Sequence, residues 1–141
     1  MKISVQKEDF DLGVEVKAIS RSPHVGAVAS FVGLVREVPM TLEHYPGMTE
    51  RAIGAIVEQA RLRWKIMDAA VIHRYGALQP NDQIVLVAVA SAHRGDAFAA
   101  CEFIMDYLKT QAPFWKKEKT PEGERWVEAK VVDDQAAERW R

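Results

Sequence analysis

The sequence predicts a mixed α+β fold built as a single domain, residues 1–141, and three observations predict it. Amphipathic helical patterns alternate along the chain with short β-rich runs. Those runs come in pairs closed by turn chemistry, as in Gly76 with Pro80-Asn-Asp82 and in Thr120-Pro-Glu-Gly-Glu124. A length of 141 residues, 48% hydrophobic and 28% charged, is enough to bury one ordinary core. The predicted element order is β-α-β-β-α-β-β-α-β-β-α, with hairpins rather than uniform βαβ units.

Each element has a local reason. Lys2 to Gln6 alternates and reads as a first strand. Asp9 or Asp11 caps a helix through about Ser20, with Leu12, Val16 and Ile19 inward. Ser22-Pro-His-Val-Gly26 is a turn. Val25 to Val35 is apolar on both faces, which predicts a central strand buried on both sides, with Gly26 and Gly33 marking close backbone approach or a bulge. Arg36 ends that strand, and Thr41 to Tyr45 is the next. Met48 to Trp64 carries Ala52, Ile53, Ile56, Val57, Ala60 and Trp64 on one helical stripe. Ala69–Tyr75 and Ile84–Ala90 form a hairpin with a longer loop. A helix then places Phe98, Cys101, Met105 and Leu108 inward and must stop near Gln111, because Pro113 lacks an N–H and drives Ala112 out of helical geometry. Phe114–Lys119 and Arg125–Lys130 are strands, and Asp133 or Asp134 caps a last helix through Trp140.

Composition narrows the function classes. A net charge of −1 gives no global basic field for nucleic acid or an acidic membrane surface. The first residues alternate in charge too early for a signal peptide, and no apolar run approaches the roughly 18 residues of a membrane span. A single cysteine excludes an internal disulfide and fits a reducing compartment, so a cytoplasmic protein is expected. The four histidines lack metal-ligand spacing, and neither a dinucleotide nor a triphosphate loop is present.

What remains is a set of cations at structural junctions. Lys109 falls in the last turn of the helix that Pro113 ends, and Lys116 follows the bend, so a reversal can bring both amines to one pocket. Amines brought together lower each other's pKa, which suits a nucleophile or a general base. The competing reading is a lysine meeting the helix dipole and a lysine guarding an edge strand. His93-Arg94 stands where a strand passes into that helix, a place that favours an anion, unless Arg94 simply pairs with Asp96 or Glu102. Arg36 at a strand end is a further anion receptor or a plain surface arginine, and Phe31 reads as core. Cys101 lies on the inward stripe and reads as a buried thiol. The run Phe114-Trp-Lys-Lys with Arg125-Trp126 resembles a stacking surface for single strands, but Glu118, Glu122, Glu124 and Glu128 neutralise it. Physical reasoning alone therefore reaches an anion-binding pocket, catalytic or a binding module, with no substrate named.

At these residues the sequence resembles the large subunit family of molybdopterin synthase, the MoaE family. The matching blocks are Phe31-Val-Gly-Leu-Val-Arg36, Leu42-Glu-His-Tyr-Pro-Gly-Met48, Ile72-His-Arg-Tyr-Gly76, Ser91-Ala-His-Arg94, Phe103-Ile-Met-Asp-Tyr-Leu-Lys-Thr110, Ala112-Pro-Phe-Trp-Lys-Lys-Glu118 and Thr120-Pro-Glu-Gly-Glu-Arg-Trp-Val127. The resemblance implies an α/β hammerhead-like fold with a small added antiparallel β subdomain. It implies a homodimer that binds two copies of a small ubiquitin-like, MoaD-like sulfur carrier, making a heterotetramer. The carrier's C-terminal thiocarboxylate would donate sulfur to cyclic pyranopterin monophosphate in two rounds, forming the dithiolene of molybdopterin. No cofactor of its own, nucleic acid or membrane is implied. Carried over by motif, Lys109 and Lys116 are catalytic. Arg36, His93 and Arg94 bind the substrate, the last two from the neighbouring subunit. Phe31, Leu34, Val35 and Met105 line its pocket, and Lys117 and Glu118 lie at the edge. Between Arg36 and Leu42 the family usually carries several more residues than the Glu37-Val-Pro-Met-Thr41 found here.

Overall fold

The computed structural model describes residues 1–121, 123–127 and 131–140. Its elements are β1 (Lys2–Gln6), α1 (Leu12–Ala18), β2 (Ala27–Leu34), β3 (Met40–His44), α2 (Met48–Arg63), β4 (Asp68–Arg74), β5 (Gly76–Leu78), β6 (Gln83–Ser91), α3 (Arg94–Gln111), β7 (Phe114–Thr120), β8 (Gly123–Val127) and α4 (Val131–Glu138). Two four-stranded sheets result, ordered β1-β4-β6-β2 and β5-β3-β7-β8. Among the described residues only β1 and β4 pair in parallel. The expected α+β class and its added antiparallel sheet are both present.

The first sheet is held by period-two burial. Along β6, Val85, Val87 and Val89 face the cluster built with α2 and α3, while Leu86, Ala88 and Ala90 face Ile19 beyond α1. A strand covered on both sides has no place for polar side chains, which is why β6 reads as a continuous apolar run. On α2 the stripe Ile53, Ile56, Val57 and Ala60 is buried, and Glu50 accepts the Gly47 N–H at 2.9 Å to close the first turn. Asp11 is the N-cap of α1, accepting from the Val14 N–H.

Several expectations are corrected. The two-faced apolar strand is at the sheet edge: β2 pairs only with β6, and Phe31 and Leu34 stand 42% and 51% exposed. Apolarity on both faces of β2 thus marks a face left open, not a central position. The strand closes at Leu34, before Arg36, after the predicted irregularity between Gly33 and Leu34. Gly26 is the predicted close approach, since a Cβ there would sit 2.3 Å from the Ala92 carbonyl oxygen. Leu12 is exposed and Glu15, paired with Lys2 at 2.7 Å, is the buried residue of α1, while Ile19 just beyond it is buried as expected. Between β4 and β6 the chain inserts β5, which crosses to the second sheet and pairs with β3. The last helix begins at Val131, so Asp133 and Asp134 fall in its first turn instead of capping it. The predicted strand end at Lys130 and the side chains of Arg125 and Trp126 lie outside the described residues.

The helix α3 stops where proline chemistry requires. Ala112 takes the extended conformation of a pre-proline residue, φ −76° and ψ 135°, and β7 begins at Phe114. Its buried face is Ala97, Ala100, Cys101, Phe103, Ile104, Tyr107 and Leu108. Phe103 is fully buried among Trp64, Tyr107 and Trp140. Phe103→Ala is expected to cost about 3–5 kcal/mol, read as a lowered midpoint in chemical denaturation, because the surrounding rings cannot collapse into the gap.

Candidate active site

The corrected face of α3 opens the site. Phe98 is 64% exposed, so it belongs with Glu102, Met105 and Lys109 on a stripe beside the core face, at spacings of four, three and four residues. Across from it stands the uncovered face of β2. Between them runs a groove of about 530 Å³ lined by Ala29, Ser30, Phe31, Phe98, Cys101, Glu102, Met105, Asp106 and Lys109. Its floor is apolar and its charged groups are two carboxylates and an amine. Cys101 Sγ donates to the Val87 carbonyl at 3.6 Å, and burial pushes its thiol up to about 11, so the thiol is no nucleophile near neutral pH.

Lys116 is not among the groove's lining residues. The chain leaves α3 at Pro113 into the second sheet, where Lys116 pairs in register with Leu42 and its amine lies 3.0 Å from Glu118 Oε1. That amine is held by a carboxylate two residues along the same face of β7. Lys117 points to the opposite face, with Trp115, whose ring packs on Tyr45 at 4.4 Å.

A further feature of this region is His73, which feels the charge of Lys109. Its ring stacks on Phe114 at 3.7 Å and 18°, on the same strand face as Lys116. Its Nδ1–H donates to the Arg74 carbonyl at 2.9 Å, fixing the tautomer. Desolvation above all, with the charges of Lys109 and His44 and against the opposing Arg74 bond, lowers its pKa to about 4. His44 completes this corner, 4.5 Å from Tyr75 and 6.0 Å from Phe114, with Nδ1 3.1 Å from Thr49 Oγ1. Sequence reading found no use for either histidine. The signal was the block Ile72-His-Arg-Tyr-Gly76, where two polar residues end a buried strand.

The other predicted receptors are spread out. Arg36 is exposed and follows Val35, whose backbone is pinned by Val35 N–H to Asp82 O at 2.9 Å and Asn81 N–H to Val35 O at 2.8 Å. Val35 itself is 3% exposed among Met40, Leu42 and Leu78, so its side chain is core and has no surface for a ligand. Leu34 is exposed, and Met105 lines the groove. His93 and Arg94 are exposed at the start of α3, and His93 as N-cap makes no side-chain capping bond. Neither competing partner for Arg94 engages it: Asp96 accepts the Lys65 N–H, and Glu102 pairs with Arg139. Fifteen residues of helix separate Arg94 from Lys109, roughly 22 Å at the rise of an α-helix. Within one chain, then, these two cation groups cannot share a pocket. Among the described residues no cluster of His, Cys, Asp and Glu could hold a metal, and no helix is long and apolar enough to cross a membrane.

The site is thus an apolar groove with Lys109 in its lining, and a second amine, Lys116, on the adjoining sheet. A profile of the MoaE protein family matches residues 5–111. The chain belongs to the MoaE family. It is 61% identical over 146 residues to the molybdopterin synthase catalytic subunit of Ralstonia nicotianae, covering 98% of this chain and 83% of that one. The corresponding subunit of Escherichia coli is 53% identical over 146 residues, covering 99% and 97%. The molybdopterin biosynthesis MoaE protein of Burkholderia ambifaria superposes with a TM-score of 0.87 at 58% identity, covering 99% and 97%. Molybdopterin synthase from Staphylococcus aureus does so with a TM-score of 0.82 at 31% identity, covering 88% and 95%. The 146 residues of the first two matches exceed the 141 of this chain, so those relatives carry at least five positions without a counterpart here.

The His73 corner gives a pH prediction. A histidine held neutral in the fold but free to protonate when unfolded contributes stability above its ordinary pKa of 6.5, lost as pH falls toward about 4. His73→Phe keeps a flat ring against Phe114 but cannot take a proton. Denaturation midpoints measured from pH 7 to pH 4 should fall less steeply in that variant than in the wild type.

Proposed function

We propose that this chain is the catalytic subunit of a molybdopterin synthase, a sulfurtransferase that completes the dithiolene of molybdopterin. The groove beside Lys109 admits the C-terminal tail of a small ubiquitin-like carrier, and its terminal thiocarboxylate meets cyclic pyranopterin monophosphate at the mouth of the corner. In each round the thiocarboxylate sulfur forms a carbon–sulfur bond to a substrate carbon as the carbon–oxygen bond there breaks, the oxygen leaving with a proton. Water then cleaves the acyl carbon–sulfur bond, leaving the carrier with a C-terminal carboxylate. Lys109 and Lys116 hold the two anions in reacting position and offset the charge that develops on the acyl oxygen.

The observation that carries this reading is the placement of Lys109 at the end of an apolar groove, in a chain whose relatives over nearly its full length are named for that activity. Glu118 beside Lys116 fixes the second amine, while Arg36, held just after the pinned Val35, offers a guanidinium for the phosphate. The length of α3 adds a requirement. His93 and Arg94 reach a substrate near Lys109 only from a second copy of the chain, so the working unit is a homodimer with a carrier on each side.

Lys109→Ala is expected to reduce conversion of precursor plus thiocarboxylated carrier at least about a hundredfold, measured by mass spectrometry of the product. Because Lys109 is exposed, the variant should stay within about 1 kcal/mol of wild-type stability. Unchanged turnover would remove the lysine from the reaction. Binding of carrier and precursor with no product in the wild type would favour a non-catalytic binding module.

A further inference from the structure

The last helix has no part in the reading above, yet the two residues that follow it, Arg139 and Trp140, reach the wall of the groove from behind. α4 docks on α3 with Ala137 fully buried and Trp140 edge-on to Trp64 and Phe103 at 5.4 and 5.6 Å. Beyond that apolar contact, Arg139 pairs with Glu102, and its Nε stands 3.5 Å from Asp106 Oδ2. Trp140 Nε1–H donates to the same Asp106 oxygen at 2.5 Å. Glu102 and Asp106 are the two carboxylates that line the groove, one turn apart on α3, against the single lining amine of Lys109.

Charge arithmetic makes this arrangement consequential. Two carboxylates and an ammonium leave the wall with a net charge of −1, which repels any ligand that enters with an anionic end. The side chain of Asp106 is only 13% exposed, so its field is weakly screened by solvent, whereas Glu102 and Arg139 are about half exposed. A guanidinium bridging both carboxylates brings the wall to neutrality without entering the groove.

We propose that Arg139 is a positioning residue for the groove: from the far side of α3 it balances and orients Glu102 and Asp106, so that the space beside Lys109 admits the anionic end of a polypeptide tail. This inference rests on the reading that a carrier tail enters that groove. A clip that merely docked α4 would influence binding only through packing, and neutralising Glu102 could not repair its loss.

The test titrates the full-length chain with the carrier protein in its carboxylate form. Arg139→Met keeps an unbranched side chain beside Trp140 while removing the charge. It should weaken binding about fivefold at low salt, the size of an exposed ion-pair effect, and the difference should fade near about 0.5 M salt. Adding Glu102→Gln should restore affinity, and Glu102→Gln alone should tighten binding several-fold, with Trp140 fluorescence reporting that α4 remains docked. Arg139→Met binding as tightly as wild type, or weakened binding that Glu102→Gln does not rescue, overturns the inference. If Arg139→Met fails to fold, Glu102→Gln alone decides: tighter binding supports the role and unchanged binding ends it. A wild-type chain that does not bind the carrier removes the parent reading, and this inference with it.

Discussion

The reversal at Ala112–Pro113 is the constraint on which the site depends. A proline cannot continue α3, and it forces the residue before it into extended geometry, so the chain leaves the first sheet's layer and enters the second. That single change of direction leaves Lys109 in the final helical turn and starts the strand that carries Lys116. Phe114, the first residue of the new strand, is then caught by the ring of His73 at the end of β4. The two sheets are therefore joined beside the reversal, through the stack of His73 on Phe114.

Electrostatics around this junction are arranged by pairing more than by accumulation. Lys116 has Glu118, the groove's carboxylates have Arg139, and His73 stays uncharged because burial and the neighbouring cations oppose its protonation. An uncharged imidazole adds no further repulsion beside Lys109. The surface that results is apolar with a few balanced charges, which suits a flexible tail whose affinity comes from buried area and whose orientation comes from its terminal anion. The exposed Phe31 on the groove side of β2 continues the same apolar surface.

Most of the fold was legible because it follows from local chemistry. The stripe of α2, the stop at Pro113, the turn before β8 and the close approach at Gly26 all rest on one residue or one periodicity. What was not legible depends on the layer that covers an element. The pattern of β2 is the same whether a sheet face is covered or left open, so its edge position had to come from topology. Phe98 matched the spacing of the core stripe, yet it lies one step off the covered face and lines the groove. Strand β5 is three residues long, too short for any period to declare it. In the site, Lys109, Arg36 and the His93-Arg94 pair stood out by residue type at element ends, while Met105 came only from the family resemblance. Glu102, Asp106 and His73 did not, because their roles come from partners 37, 34 and 41 residues away in the chain: Arg139 for Glu102, Trp140 for Asp106 and Phe114 for His73.

The central claim is that one site is built from both ends of α3, with Lys109 supplied by one copy and His93 with Arg94 by another. Mixing two inactive variants tests it most directly: Lys109→Ala protomers are combined with His93→Ala/Arg94→Ala protomers, and dithiolene formation is measured against each variant alone. The account predicts that activity returns on mixing, since the mixed dimer holds one complete site. Mixtures no more active than their separate components, while dimers demonstrably exchange subunits, would contradict it.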